Sequence, residues 1–168
     1  MISVNDLFKA GFYSSALDSA ESDPLRELDA LQESQLLDIR VCQLTSTAAL
    51  LFELRTSLQF EVGNAALLVV RGLRSFGWNS PTVQGPLTAM TVVSSVPDRI
   101  NDSFRARFAF FPEARLEVVG DLAEFYVLAV EGISDAPPDY SDSDLKRVQE
   151  DLPSWSSVCS PLQASSSR

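Results

Sequence analysis

Apolar and polar positions follow two rhythms along this chain. The first is helical. Residues 3–10 read as a short helix around Leu7 and Phe8. Ser22, Asp23 and Pro24 form a stronger start signal, because Asp23 can cap and Pro24 suits the first helical position. Leu25, Leu28 and Leu31 then share one face, while Arg26, Glu27, Asp29 and Glu33 fall mostly elsewhere, so an amphipathic helix is expected there. From Leu37 the period drops to two. Leu37, Ile39 and Val41 alternate with Asp38, Arg40 and Cys42; Leu50, Phe52 and Leu54 with Glu53 and Arg55; Leu58, Phe60 and Val62 with Gln59 and Glu61.

Further strands follow. Gly63 and Asn64 can turn the chain into the apolar run 65–70, which reads as buried on both faces and runs on to Leu73. Gly72 and Gly77 suggest bulges or bends. Residues 79–86 read as a loop, and 88–96 as a strand closed by Pro97 and Asp98. Phe104, Ala106, Phe108 and Phe110 alternate with Arg105 and Arg107 until Pro112. Residues 114–119 and 122–130 read as two more strands joined at Gly120 and Asp121. A last helix, capped by Ser141 or Ser143, would turn Leu145, Val148 and Leu152 inward and stop at Pro153.

No long helical pattern separates these strands, so antiparallel pairing is expected. The fold class is α+β: an antiparallel sheet or partly open barrel of about seven or eight strands, flanked by N-terminal and C-terminal helices. Residues 1–152 make one domain, helical over 1–35, β-rich over 37–133, with an acidic linker and helix over 134–152. Residues 153–168, rich in Ser, are expected to be a disordered tail.

Charge changes this picture. Thirteen basic and 23 acidic side chains give a net charge of −10. Residues 1–38 carry −6 and residues 131–151 carry −5, whereas 39–130 balances eight acids against eight arginines. Such a chain lacks the clustered cations that nucleic acid requires, and an anionic membrane surface would repel it. Acidic ends instead suit a basic protein partner, or solubility alone. No apolar run approaches the roughly 20 residues of a membrane span, and the N-terminus lacks the apolar block of a secretory signal. Cys42 and Cys159 read as reduced thiols, with a disulfide as the alternative. These features point to the cytoplasm.

The search for chemistry returns mostly negatives. The chain has no His, which excludes Ser-His-Asp and Cys-His catalysis and His-ligated metal. Lys9 and Lys146 both lie in polar helical surfaces. Neither nucleotide-binding glycine motif is present. Asp98/Asp102 and Glu113/Glu117 are the closest carboxylate pairs of the β region, without an apolar pocket to raise a pKa. The run from Asp139 to Asp144 has calcium-loop spacing but no Gly at its sixth position, so helix capping explains it better. No enzyme activity, metal or cofactor is expected.

Four positions are candidates for partner binding. Trp78 beside Gly77 is either an interface anchor or the plug of one end of a β core. Arg105 and Arg107 share a strand face, with Arg115 near them; they suit an anion, or cross-strand pairing with Glu53, Glu61, Glu117 or Glu124. Tyr140 ends Pro137-Pro138-Asp139-Tyr140, the PPxY pattern that WW domains bind, or else part of a stiff linker.

The run LLFELRTSLQFEVGNAALLVVRGLRSFGW (50–78), with PEARLEVVGDLAEFYVLAVEGI (112–133) and PPDY (137–140), resembles small acidic actinobacterial proteins of immunity-protein type. The resemblance covers roughly residues 37–140 and carries no functional residue onto this chain. It implies a toxin-neutralising, non-catalytic role in the cytoplasm. Three functions follow as expectations. The first is a binding protein for a basic partner, which the resemblance makes immunity-like. The second is an apolar-ligand binder lined by Phe52, Phe60, Phe104, Phe108, Phe110 and Phe125. The third is a carboxylate or metal enzyme.

Overall fold

The computed structural model describes residues 2–10, 16–81, 85 and 87–168. Eight antiparallel strands carry the fold: β1 (Ile2–Ser3), β2 (Gln35–Cys42), β3 (Thr47–Glu53), β4 (Ala65–Asn79), β5 (Met90–Ile100), β6 (Ser103–Phe111), β7 (Ala114–Val130) and β8 (Val158–Ser166). The two helices are short, α1 (Val4–Ala10) and α2 (Leu145–Glu150). The sheet order is β1-β8-β7-β4-β3-β2-β5-β6, and β6 pairs back onto β7. Six strands therefore close a ring, and β8 with β1 extends it from the second half of β7. Followed from Leu128 through Ala65, Glu53, Gln35 and Thr91 to Phe111, the paired residues return to β7 beside Ala114, at its other end. Such a stagger means steeply tilted strands. The ring is weakest between β2 and β5, which share two residue pairs.

Two apolar layers result. Ala48, Leu50, Phe52, Ala66, Leu68 and Val70 point into the ring with Phe104, Phe108 and Phe125. Their neighbours Ala49, Leu51, Ala65, Leu67 and Val69 form an outer layer with Tyr126 and Leu128, against which Val4, Leu7 and Phe8 of α1 and Trp155 pack. β3 and the first half of β4 are thus buried on both faces, as their continuous apolar runs require. No helix among the described residues is long and apolar enough to cross a membrane.

Several elements differ from the sequence reading. Residues 22–34 form successive turns, not an amphipathic helix. Asp23 does cap one turn: its carboxylate accepts from Leu25 N at 3.0 Å and its carbonyl from Glu27 N at 2.8 Å. Asp29 then takes φ 58° and binds β5, donating from its N–H to the Ser95 carbonyl at 2.7 Å. Its carboxylate accepts from Ser95 N at 3.0 Å. The edge of β5 captures backbone groups a helix would need, so of the expected flanking helices only the short α1 and α2 form.

Residues 57–62 form a loop, with Leu58 fully at the surface and Phe60 turned into the core. β5 continues through Pro97 and Asp98, and the chain turns instead at Asn101 and Asp102, both with positive φ. Gly120 marks no hairpin. β7 is one strand, and its inward set switches from Leu116 and Val118 to Ala123, Phe125 and Val127 across it. A Cβ at Gly120 would lie 2.4 Å from Val70 Cγ1, so glycine permits the close approach of β4 there. The matching irregularity of β4 lies between Leu73 and Ser75, just after Gly72 at φ 64°. The cap of α2 is Asp144, and only Val148 of its apolar residues is buried. The expected disordered tail is β8, paired with β7 from Glu124 to Val130.

Candidate functional site

β4, β7 and β6 lie side by side where the first half of β7 runs between its neighbours. Register sets the local order of side chains. Gly77, Glu117 and Arg107 form one row across the three strands; Asn79, Arg115 and Ala109 form the next row on the same face. Arg107 and Arg115 are therefore diagonal neighbours on adjacent strands. Trp78 belongs to the intervening row with Leu116 and Phe108.

Of the four sequence candidates only Arg107 stands on this face beside the cleft, now with Arg115; Trp78 lies in the row that faces the ring, and Arg105 lies outside the cleft lining. Arg105 is committed to structure: its guanidinium donates to Asp98 at 2.6 Å and lies 4.0 Å from Glu117. That hydrogen bond, with one from the Arg99 backbone amide, holds the Asp98 carboxyl below its ordinary range. Of the expected cross-strand partners, Glu117 serves Arg105, whereas Glu53 serves Arg55 and Glu124 serves Arg71. Arg107 and Arg115 are exposed and make no hydrogen bond or ion pair among the described residues. With Gly77, Trp78, Asn79, Phe108, Leu116 and Glu117 they line a cleft of about 530 Å³. A Cβ at Gly77 would touch nothing within 4 Å, so the space over β4 is open.

Trp78 also plugs the fold. It is 38% exposed, its ring lies 5.6 Å from that of Phe110, and it lines the gap between β2 and β5 with Ile39 and Met90. The six phenylalanines of the ligand-binding expectation are buried in the ring, where Phe52 meets Phe108 at 6.0 Å and Phe60 meets Phe125 at 6.2 Å. Of the carboxylate pairs, Asp98 faces Arg105 while Asp102 stands exposed in the turn; Glu113 is exposed beyond β6.

Tyr140 lies apart from the cleft, at a second cluster. Its hydroxyl donates to Gln35 Oε1 at 2.9 Å. Burial, then the nearby Glu53 charge, pushes it up to about 12. Beside it, Glu53 is fully buried and Arg55 grips it with two side-chain bonds, at 2.8 and 2.6 Å. The same guanidinium donates to the carbonyls of Ser134, Ala136 and Asp151 at 2.9, 3.0 and 2.7 Å. Burial alone would lower the Arg55 pKa, but the hydrogen bonds and charge of Glu53 raise it. Asp151 in turn accepts from Ser134 N and Oγ at 2.8 and 2.6 Å. The acidic segment 131–151 is thereby tied to the end of β3. Within it, Asp144 caps α2, as the capping reading of this run expected, whereas Asp139 accepts from Ser141 in a local turn. The sequence reading missed Arg55; its signal was the spacing of two from Glu53, which puts both on one face of an extended segment.

No family model, no curated protein and no solved structure matches this chain.

Proposed function

We propose that this protein is a non-catalytic binding protein that engages a basic protein partner through the acidic segment 131–151, as an immunity-like inhibitor would. One observation carries the reading. A segment of net charge −5 is fastened by the three carbonyl bonds of Arg55, while Glu131, Asp135, Asp139, Asp144 and Glu150 stay exposed. Negative charge held at fixed positions steers a cationic partner and spares much of the ordering cost that a free acidic tail would incur. Free thiols at Cys42 and Cys159 are in keeping with a cytoplasmic setting.

The test is capture from lysate of the source cell, with washes at low and high salt. The wild-type chain should retain one stoichiometric basic protein that is lost as salt rises. The triple variant Glu131→Gln, Asp135→Asn, Glu150→Gln changes exposed carboxylates, of which only Glu150 is paired, with the exposed Lys146 along α2 at 3.9 Å. It should associate about tenfold more slowly with a flatter salt dependence. Equal capture by the variant at every salt concentration would refute the role of this segment.

A further inference from the structure

Six of the eight arginines in the neutral middle of the chain are engaged: Arg40 stacks on Trp155, Arg55 and Arg71 hold carboxylates and carbonyls, Arg74 pairs with Asp121, Arg99 binds the Ser167 carbonyl and Arg105 pairs with Asp98. The two left over, Arg107 and Arg115, line one cleft. Diagonal neighbours on adjacent strands lie roughly 7–8 Å apart at their origins, within reach of one shared ligand for side chains this long. Two guanidinium forks that make no hydrogen bond or ion pair among the described residues suit an anion, although Glu117 stands between them.

The charge selects the ligand. A carboxylate is satisfied by a single fork and would leave the other arginine idle. A phosphate monoester carries about −1.5 to −2 charges and three acceptor oxygens, enough for both. The remaining lining adds a second requirement. Phe108 and Leu116 are buried and the Trp78 row faces the ring, so the floor of the cleft is sheet backbone, and the open space over Gly77 admits a flat group. The volume, about 530 Å³, is that of a small-molecule site. A polyanion is disfavoured, because the net charge of −10 opposes it everywhere beyond the cleft.

We propose that this cleft binds a phosphate monoester on a planar body, with the phosphate between Arg107 and Arg115 and the body over Gly77. Glu117, on the rim, accepts a hydrogen bond from a hydroxyl or amine of the same ligand. This activity is independent of the acidic segment, which lies at the other cluster.

Isothermal titration of the full chain with phenyl phosphate, inorganic phosphate and benzoate at low ionic strength tests the assignment. Phenyl phosphate should bind one per chain, at least about tenfold tighter than either inorganic phosphate or benzoate. Arg107→Gln and Arg115→Gln should each weaken it about tenfold or more. Arg74→Gln, whose partner is Asp121 outside the cleft, should leave it unchanged. Gly77→Leu meets no atom at its Cβ, so it should fill the cleft and abolish binding at unchanged melting temperature. No measurable binding of phenyl phosphate at millimolar concentration would overturn the proposal. So would equal affinity in the two arginine variants, or benzoate binding as tightly as phenyl phosphate.

Discussion

Replacing Arg55 with methionine keeps most of the side-chain volume and removes one charge. Its guanidinium is 3% exposed and makes five side-chain hydrogen bonds, two to Glu53 and three to the carbonyls of Ser134, Ala136 and Asp151. Glu53 is 0% exposed and would remain in place with the Arg55 backbone amide, at 2.8 Å, as its one surviving partner in this cluster. Removing one member of a buried pair costs about 3–5 kcal/mol, because the other charge is left without compensation. Three carbonyls lose a charged donor as well, but those of Ser134 and Ala136 are exposed and water can replace it there. The expected loss is therefore about 3–5 kcal/mol, a large part of the roughly 5–15 kcal/mol that holds an ordinary domain together. For a chain of this size it corresponds to a fall in melting temperature of roughly 6–20 °C.

Urea unfolding followed by far-ultraviolet circular dichroism measures this directly. A double variant, Glu53→Leu with Arg55→Met, removes both charges and should be closer to wild type than Arg55→Met alone. Hydrogen exchange should also speed up over 131–151 in Arg55→Met, because the segment loses its attachment to β3. A loss below about 1 kcal/mol, the worth of an exposed ion pair, would refute the reasoning. Additive effects in the double variant would refute it equally.

Three other outcomes follow from the geometry. Tyr140 keeps its proton to about pH 12 when folded. Unfolded tyrosine releases it near 10, so stability should decline as pH climbs between those values, and Tyr140→Phe should blunt the decline in an alkaline titration. Hydrogen bonds from Thr45 lower the Cys42 thiol, whereas burial and then Asp6 push Cys159 up to about 11. One thiol per folded chain should thus react quickly with a disulfide reagent near pH 8, and Cys42→Ser should remove that phase. Gly120→Ala places a methyl 2.4 Å from Val70 Cγ1 and should cost about 1–3 kcal/mol in urea unfolding; Gly77→Ala should cost nothing measurable.

Strand composition was legible where alternation or a continuous apolar run marked the core, as in β2, β3, β4 and β6. Failures came where backbone partners outweighed side-chain pattern. The leucines at 25, 28 and 31 have helical spacing, yet β5 offers Asp29 a ladder-like pair of bonds through Ser95, and the helix gives way to turns. β7 looked like two strands because the inward phase changes at Gly120; a paired irregularity in β4 produces the same signal as a hairpin. β8 was invisible to composition. Its serines satisfy the open edge of β7 through main-chain pairing, and Gln163 and Ser165 are buried although polar. The cleft was half legible: alternation placed Arg105 and Arg107 on one face, but Gly77 and Arg115 join Arg107 only because β7 lies between β4 and β6.

Arginine, to the exclusion of lysine, balances the acids of the middle of the chain, and the structure gives the reason. Arg55 divides its donors between one carboxylate and three carbonyls. Arg71 does the same with Glu124 and the carbonyls of Leu7 and Phe8 at the end of α1. Each needs a planar fork that reaches several acceptors at once, which a lysine ammonium cannot match. The neutrality of residues 39–130 is therefore a by-product of fastening: these arginines tie an acidic segment and a terminal helix to the barrel. Once their bonds are accounted for, two charges of opposite meaning remain exposed. One is the acidic surface that Arg55 holds still. The other is the Arg107–Arg115 pair, which makes no hydrogen bond or ion pair among the described residues and flanks the open space over Gly77.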